Sequence, residues 1–387
     1  MIDGRHVEVR GNAVHPRRLG LVAWLVLALL SCVACERRVC DAPAAQQARG
    51  RGEDFVGQPP APRIAVFLDS LAKQGISGVA LIARGDEVLL RTGFGLAERS
   101  SQSPNTVSTV FDIGSIAKTF TAAAVFRLES EGKLQTRAPI SRYLEGVPPD
   151  KSTVTVLQLL NHGSGLENYL ADSDFEALGR NEAVARCLSL RLRWTPGDVR
   201  DGYSNAGYAL LAAIVEAASG VAFTDYVRRA VLEPLQLERT GWFCDSRLPA
   251  LHYAHAYEGD EEAGSACCWR LTWALLGGGG MVSSLDDLHR LLRAIVEGPF
   301  FSAEARTAMQ TAPAEHYTAG LQLQTDAHGT WLQKGGSSIG FSGMMRYHLE
   351  RQVYVIFLLN AWIPPYDGRV HIDVVAPRLS KLALEGF

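Results

Sequence analysis

The chain predicts an α+β fold: an antiparallel sheet flanked by helices, with a helical subdomain inserted between N- and C-terminal strands. Two observations carry this. Strand-like apolar runs lie towards both ends of the body of the chain, at Gly78–Ala83 and Glu87–Thr92 and again at Phe341–Leu349 and Val353–Leu359, whereas helical patterns dominate from Thr153 to Leu237. Strands at both ends around a helical middle are accommodated by one sheet that draws on both termini.

The elements follow in order. Residues 1–31 read as an export signal of lipoprotein type: Arg5, Arg10, Arg17 and Arg18 precede an uncharged run from Leu19 to Cys35. Leu29-Leu30-Ser31-Cys32 resembles a lipobox with Cys32 as the lipidated residue, and a retained signal anchor is the competing reading. Either way the chain is expected outside the cytoplasm, in the periplasm or on the membrane of a bacterium. Residues 32–60, rich in Ala, Gln, Gly, Arg and Pro, read as a flexible tether, and 61–387 as one catalytic domain.

Within that domain, Ile64, Phe67, Leu68 and Leu71 form the apolar stripe of a helix ending near Lys73. Gly85-Asp86 is a hairpin turn between the first two strands. Helices are expected at Val156–Asn161, Gly207–Ala218, Thr224–Leu232 and Val374–Leu384. Phe341, Gly343, Met345, Tyr347 and Leu349 alternate as in a half-buried strand.

Between Ile113 and Phe126 the only charged side chain in fourteen residues is Lys118. A helix apolar on nearly all sides is buried, and burial disfavours the charged form of a lysine. Ser115 lies three positions earlier, on the same helical face. A hydroxyl beside a lysine that gives up its proton easily is what nucleophilic serine chemistry needs. Ser-x-x-Lys recurs at Ser70–Lys73 and Ser130–Lys133, but the first lies on a wet helix face and the second straddles Gly132, a helix C-cap. Only Ser115 opens a buried helix, whose free N–H groups favour developing negative charge.

Two further segments can meet that helix if the C-terminal strands lie beside it. Tyr203-Ser204-Asn205 follows a turn at Pro196-Gly197 and precedes a helix; a tyrosine between two cations can take a proton from serine. Lys334-Gly335-Gly336-Ser337 stands just before the alternating strand, with two glycines that permit close backbone approach.

In the order Ser115-x-x-Lys118, Tyr203-x-Asn205, Lys334-Gly335-Gly336, the chain resembles the serine β-lactamase and penicillin-binding superfamily, and within it the class C β-lactamase-related serine hydrolases. Leu159–Leu166, Glu233-Pro234-Leu235, Gly279–Asp287 and Gly336–Gly343 also resemble family segments. The resemblance implies that Ser115 is acylated and that Lys118 and Tyr203 shuttle its proton, with the base left open between them. It implies that Asn205 holds the substrate amide or the Lys118 amine. Lys334 would stabilise a Tyr203 phenolate and attract a substrate carboxylate. The N–H groups of Ser115 and Ser337 would form the oxyanion hole. Gly335 stands where the superfamily usually has a hydroxyl residue, which weakens the case for binding a carboxylate.

Other features are read as bystanders. Gly336-Ser337-Ser338-Ile339-Gly340 matches a Gly-x-Ser-x-Gly elbow, but that elbow needs a helix after its serine and a strand follows here. His162, in a tight turn with Gly163 and Gly165, reads as structural. His252 and His255 near Cys267-Cys268 show no metal-ligand spacing, so neither metal nor cofactor is expected. Export would permit a disulfide among Cys187, Cys244, Cys267 and Cys268, with the pair undetermined. Net charge is −3 without basic runs, which argues against nucleic acid as a partner. The expected partner is a small molecule or peptidoglycan fragment. The reading is therefore a serine hydrolase acting on an ester, an amide, a D-Ala wall peptide or a β-lactam. The alternatives are a carboxylesterase-type member with no β-lactam or peptidase role, and a non-catalytic wall-binding lipoprotein.

Overall fold

The computed structural model describes residues 61–385 apart from 199–201, 249, 314–316 and 363–367. The signal, Cys32 and the tether lie outside the described residues. Helix α1 (Ala61–Lys73) leads into the hairpin β1 (Gly78–Arg84) and β2 (Glu87–Phe94). A short strand, Phe111–Asp112, precedes a single 3₁₀ turn at Gly114–Ile116 and then α2 (Ala117–Ser130). The helical middle includes Val156–Leu160, Arg180–Ser189, α3 (Asn205–Ser219) and Phe223–Val227, followed by a π-turn to Leu232. After α4 (Leu285–Val296) come β3 (Gln322–Asp326), β4 (Gly329–Ser338), β5 (Phe341–His348) and β6 (Val353–Leu359), then α5 (Gly368–Leu384).

The main sheet runs β3-β4-β5-β6-β1-β2, with every neighbouring pair antiparallel. β6 joins the C-terminal meander to β1, pairing Gly78 with Leu359 and Arg84 with Val353. The expected sheet built from both ends is thus present.

Period-2 alternation sorts each strand between two cores. Val79, Leu81, Tyr354, Ile356 and Leu358 face α2, α3 and α4, while Ala80, Ile82, Val355 and Phe357 face α1 and α5. Ile64, Leu68 and Leu71 of α1 dock on that second face, as their spacing predicts.

Lys334-Gly335-Gly336 precedes the alternating strand, as expected, and itself lies inside β4, where Lys334 pairs with Met345 and Gly336 with Gly343. Glycines lower strand propensity, and sheet pairing overrides that here. The strand from Phe341 is buried along its whole length rather than on one face, because α5 covers the side that alternation assigned to water. The last helix also begins earlier than Val374, at Gly368.

Candidate active site

Ser115 sits in the 3₁₀ turn that opens α2, and the N-cap residues of turn and helix, Ile113 and Ile116, offer no capping side chain. The first N–H groups of such a helix have no partner within it. Lys118, one turn on, is fully buried. Its Nζ lies 3.2 Å from Ser115 Oγ and donates to Asn205 Oδ1 at 2.6 Å and to the Gly278 carbonyl at 2.8 Å. Desolvation pushes the Lys118 pKa down to about 7, against an opposing pull from the Asp174 carboxylate. An amine that is about half neutral near pH 7 has a lone pair to offer the serine proton.

Tyr203 reaches the same serine from the opposite side, its hydroxyl donating to Ser115 Oγ at 2.7 Å. The loop carrying it is pinned by α3. Ser204 caps α3 by accepting from Gly207 N–H, and Asn168 Oδ1 accepts the Asn205 N–H. Lys118 and Lys334 place their Nζ atoms 5.0 and 5.1 Å from the centre of the Tyr203 ring, so the tyrosine stands between two lysines. Lys334 is buried in β4, and desolvation pushes its pKa down to about 8.

β4 meets the turn that carries Ser115 through its glycines. β3 pairs with β4 only as far as Gln333, so among the described residues the outer edge of Lys334–Ser338 has no strand partner. That edge abuts Gly114–Ile116. A Cβ on Gly336 would lie 2.1 Å from the Ile113 carbonyl and 2.9 Å from Ser115 N, and one on Gly114 would lie 2.7 Å from Ser337 N. Gly114 also adopts φ +47°, which favours glycine. Backbone contact of this kind brings Ser115 and Ser337 together on the wall of one cleft.

The structure therefore gathers Ser115, Lys118, Tyr203, Asn205, Lys334, Gly335, Gly336 and Ser337 at one site. Of the two roles left open for Asn205, it holds the lysine amine. The other Ser-x-x-Lys pairs are peripheral: Ser70 bonds the Phe67 carbonyl on α1, and Lys133 pairs with Glu131 at the surface. Ser338 ends β4, and a two-residue turn follows it into β5. His252 bonds Thr109 and Ser103, and His255 bonds Glu262.

Several contributors were not identified from sequence. The Gly278 carbonyl lies in the run Gly277-Gly278-Gly279-Gly280, whose density of glycines is a signal for close backbone approach; a Cβ on Gly278 would be 3.2 Å from Lys118 Nζ. His162 packs its ring 4.5 Å from Tyr203 and accepts the Ser204 N–H, so it backs the tyrosine loop. Asp174 lines the cleft, exposed at its mouth yet shielded enough by the walls that burial raises its pKa. The cleft, about 1590 Å³, also exposes Tyr169, Phe175 and Ile339.

A helix start bearing a serine, a buried lysine and a hydrogen-bonded tyrosine, set against a sheet strand, defines the class of serine acyl-transfer hydrolases. The comparisons make this specific. The Beta-lactamase family model matches residues 63–378, and the chain belongs to that family. It is 27% identical to a penicillin-binding protein of Bacillus subtilis over 74% of this chain and 69% of that one. It is 30% identical to Esterase EstB of Burkholderia gladioli, covering 62% of this chain and 71% of the relative. Among solved structures, the octameric penicillin-binding protein homologue from Pyrococcus abyssi superposes with a TM-score of 0.70 at 25% identity, covering 84% of this chain and 78% of that one. The protein is a serine hydrolase.

Proposed function

We propose that the enzyme hydrolyses an ester or amide through an acyl-enzyme on Ser115, and that neutral, apolar substrates suit it better than carboxylates. The observation that carries the first half is the serine hydroxyl held between a buried lysine amine 3.2 Å away and a tyrosine hydroxyl 2.7 Å away. Ser115 Oγ attacks the carbonyl while its proton passes to Lys118 Nζ. The oxygen that becomes negative is received by the N–H groups of Ser115 and Ser337, each such donor being worth about 3 kcal/mol. Tyr203 gives its proton to the leaving alcohol or amine, with the Lys334 charge supporting the phenolate. Water then attacks the acyl-enzyme and returns a proton to Tyr203, and Lys118 reprotonates the departing Ser115 oxygen. The sum is substrate plus water giving acid plus alcohol or amine.

The second half rests on the cleft. Exposed Tyr169, Phe175 and Ile339 offer apolar contacts, Asp112 and Asp174 put acidic groups on the walls of the same cleft, and Gly335 supplies no hydroxyl for an anion. The esterase relative supports this choice, and the penicillin-binding relative keeps a D-Ala peptide or β-lactam as the second reading. A fluorophosphonate should leave a stable mass adduct that vanishes in Ser115→Ala and persists in Ser338→Ala. Short 4-nitrophenyl esters should turn over faster than D-Ala-D-Ala peptides. No adduct with either a fluorophosphonate or a fluorescent penicillin would favour the non-catalytic wall-binding reading.

The cellular setting is also proposed: export, with anchoring at Cys32 or by a retained signal, supported by the arginine-flanked apolar run before it. Membrane fractionation of Cys32→Ala tests this. Release of the variant supports lipidation, whereas unchanged retention supports the signal anchor, and cytoplasmic recovery of both forms rejects export.

A further inference from the structure

Two backbone segments in contact do not by themselves keep two N–H groups at a fixed spacing. Beside them a side chain is placed to do so. Asp112 is 3% exposed at the end of the short strand Phe111–Asp112. Its Oδ1 accepts the Gly114 N–H at 2.8 Å, and its Oδ2 accepts the Ser338 hydroxyl from the far end of β4. Gly114 immediately precedes Ser115, and Ser338 immediately follows Ser337. One carboxyl group is thus tied to the neighbour of each oxyanion donor.

The tie has its own anchor. Phe111–Asp112 pairs with Met281–Ser283, and the Phe111 ring meets Phe341 edge-on at 6.3 Å. Asp112 has no ion-pair partner among the described residues, and burial raises its pKa to about 6. Keeping an unpaired carboxyl buried is costly, and no part of the proposed proton path uses it. Ser338, which a motif search marks as a false nucleophile, is the other unexplained polar group at this point.

Building on the acyl-enzyme reading, we propose that Asp112 and Ser338 are positioning residues that lock the Ser115 and Ser337 N–H groups into a preformed oxyanion hole. Such a hole works only when its donors already stand where charge will develop, and misplacement by about 1 Å is worth about 10²-fold in rate.

The test uses the full chain with 4-nitrophenyl butyrate and its thiono analogue, in which sulfur replaces the carbonyl oxygen and makes a poorer hydrogen-bond acceptor. Ser338→Ala should lower kcat on the oxygen ester about tenfold with KM nearly unchanged, and shrink the oxygen-over-sulfur preference by a similar factor. Ser338→Thr, which keeps the hydroxyl, should recover most of both. Adding Ser338→Ala to Asp112→Ala should cost little beyond Asp112→Ala alone, because the two groups share one tie. Should Asp112→Ala fail to fold, the Ser338→Ala and Ser338→Thr pair still decides.

An unchanged oxygen-to-sulfur ratio in folded Ser338→Ala overturns the proposal. So does a loss confined to KM, which would make Ser338 a substrate contact instead. Failure of the acyl-enzyme reading looks different: wild-type enzyme would show no Ser115-dependent turnover of either ester, and this proposal would fall with it.

Discussion

A lysine that donates to two fixed acceptors and touches a serine still parts with its proton near neutrality, because none of its immediate partners carries a charge. Asn205 and the Gly278 carbonyl orient the amine without paying for an ammonium. Removing the amine should therefore destroy chemistry more than structure: Lys118→Ala is expected to lose about 10²–10⁴-fold in acylation rate while keeping the wild-type circular dichroism spectrum. Stopped-flow reaction with a fluorophosphonate checks this, and a near-normal rate would contradict it. The pH dependence has a definite sign. Lys118 must be neutral to accept the proton, so kcat/KM should rise as pH passes through about 7. Folding stability should rise too between about 7 and the ordinary lysine value of 10.5, because the unfolded chain binds the proton that the native site rejects. Urea titrations at several pH values would show this slope diminished in Lys118→Met, with Lys334 supplying what remains above about 8. Asp174 pulls the Lys118 value upward, so Asp174→Asn should move the acid limb of kcat/KM to lower pH. An unmoved limb would show that Asp174 is not felt at the amine.

Among the elements, the helix from Ser115 was legible because one charge in an otherwise apolar stretch is informative without knowledge of its surroundings. The contact between that helix and β4 was legible only in outline. The sequence shows glycines at 114, 335 and 336, but whether they serve a turn or an approach depends on what arrives opposite, and the partners lie more than two hundred residues apart. For the same reason the alternating strand after Lys334 was legible but the strand containing it was not: propensity sees two glycines, whereas pairing with β5 holds them extended. Asp112, Asp174 and the Gly278 carbonyl were missed because neither an isolated acid nor a backbone oxygen announces its neighbours in a linear chain. The element-level claim is testable at Gly336. A methyl group there would press on the Ile113 carbonyl and Ser115 N, both backbone atoms that cannot rotate away. Gly336→Ala should cost about 1–3 kcal/mol of stability and reduce kcat on 4-nitrophenyl esters by about 10²-fold or more, as loss of an oxyanion donor does. Retention of wild-type kcat would mean that β4 does not set the hole.

At the scale of the whole molecule, the sheet divides the labour between its two faces. β1 pairs with β6 across most of the chain, so neither terminal segment has a complete sheet without the other. The inner face carries Lys334 and packs on α2 and α3, which hold Ser115, Lys118 and Asn205 close by; the outer face is closed by α1 and α5. A core change on each face should then separate stability from catalysis. Leu379 of α5 is fully buried against the outer face, and Leu379→Ala should cost about 2–5 kcal/mol. Below its melting transition the variant should keep wild-type kcat per folded molecule, since the cavity opens on the sheet face opposite the helices that carry Lys118 and Asn205. Met345 pairs with Lys334 and lies fully buried in the inner core. Met345→Ala should lose comparable stability and also lower kcat, because its cavity opens beside the strand that presents Lys334 and Ser337. Thermal melts paired with active-site titration make the comparison. Equal kcat losses from the two variants would show that the sheet responds as one body, and that the inner face holds no privileged control over the site.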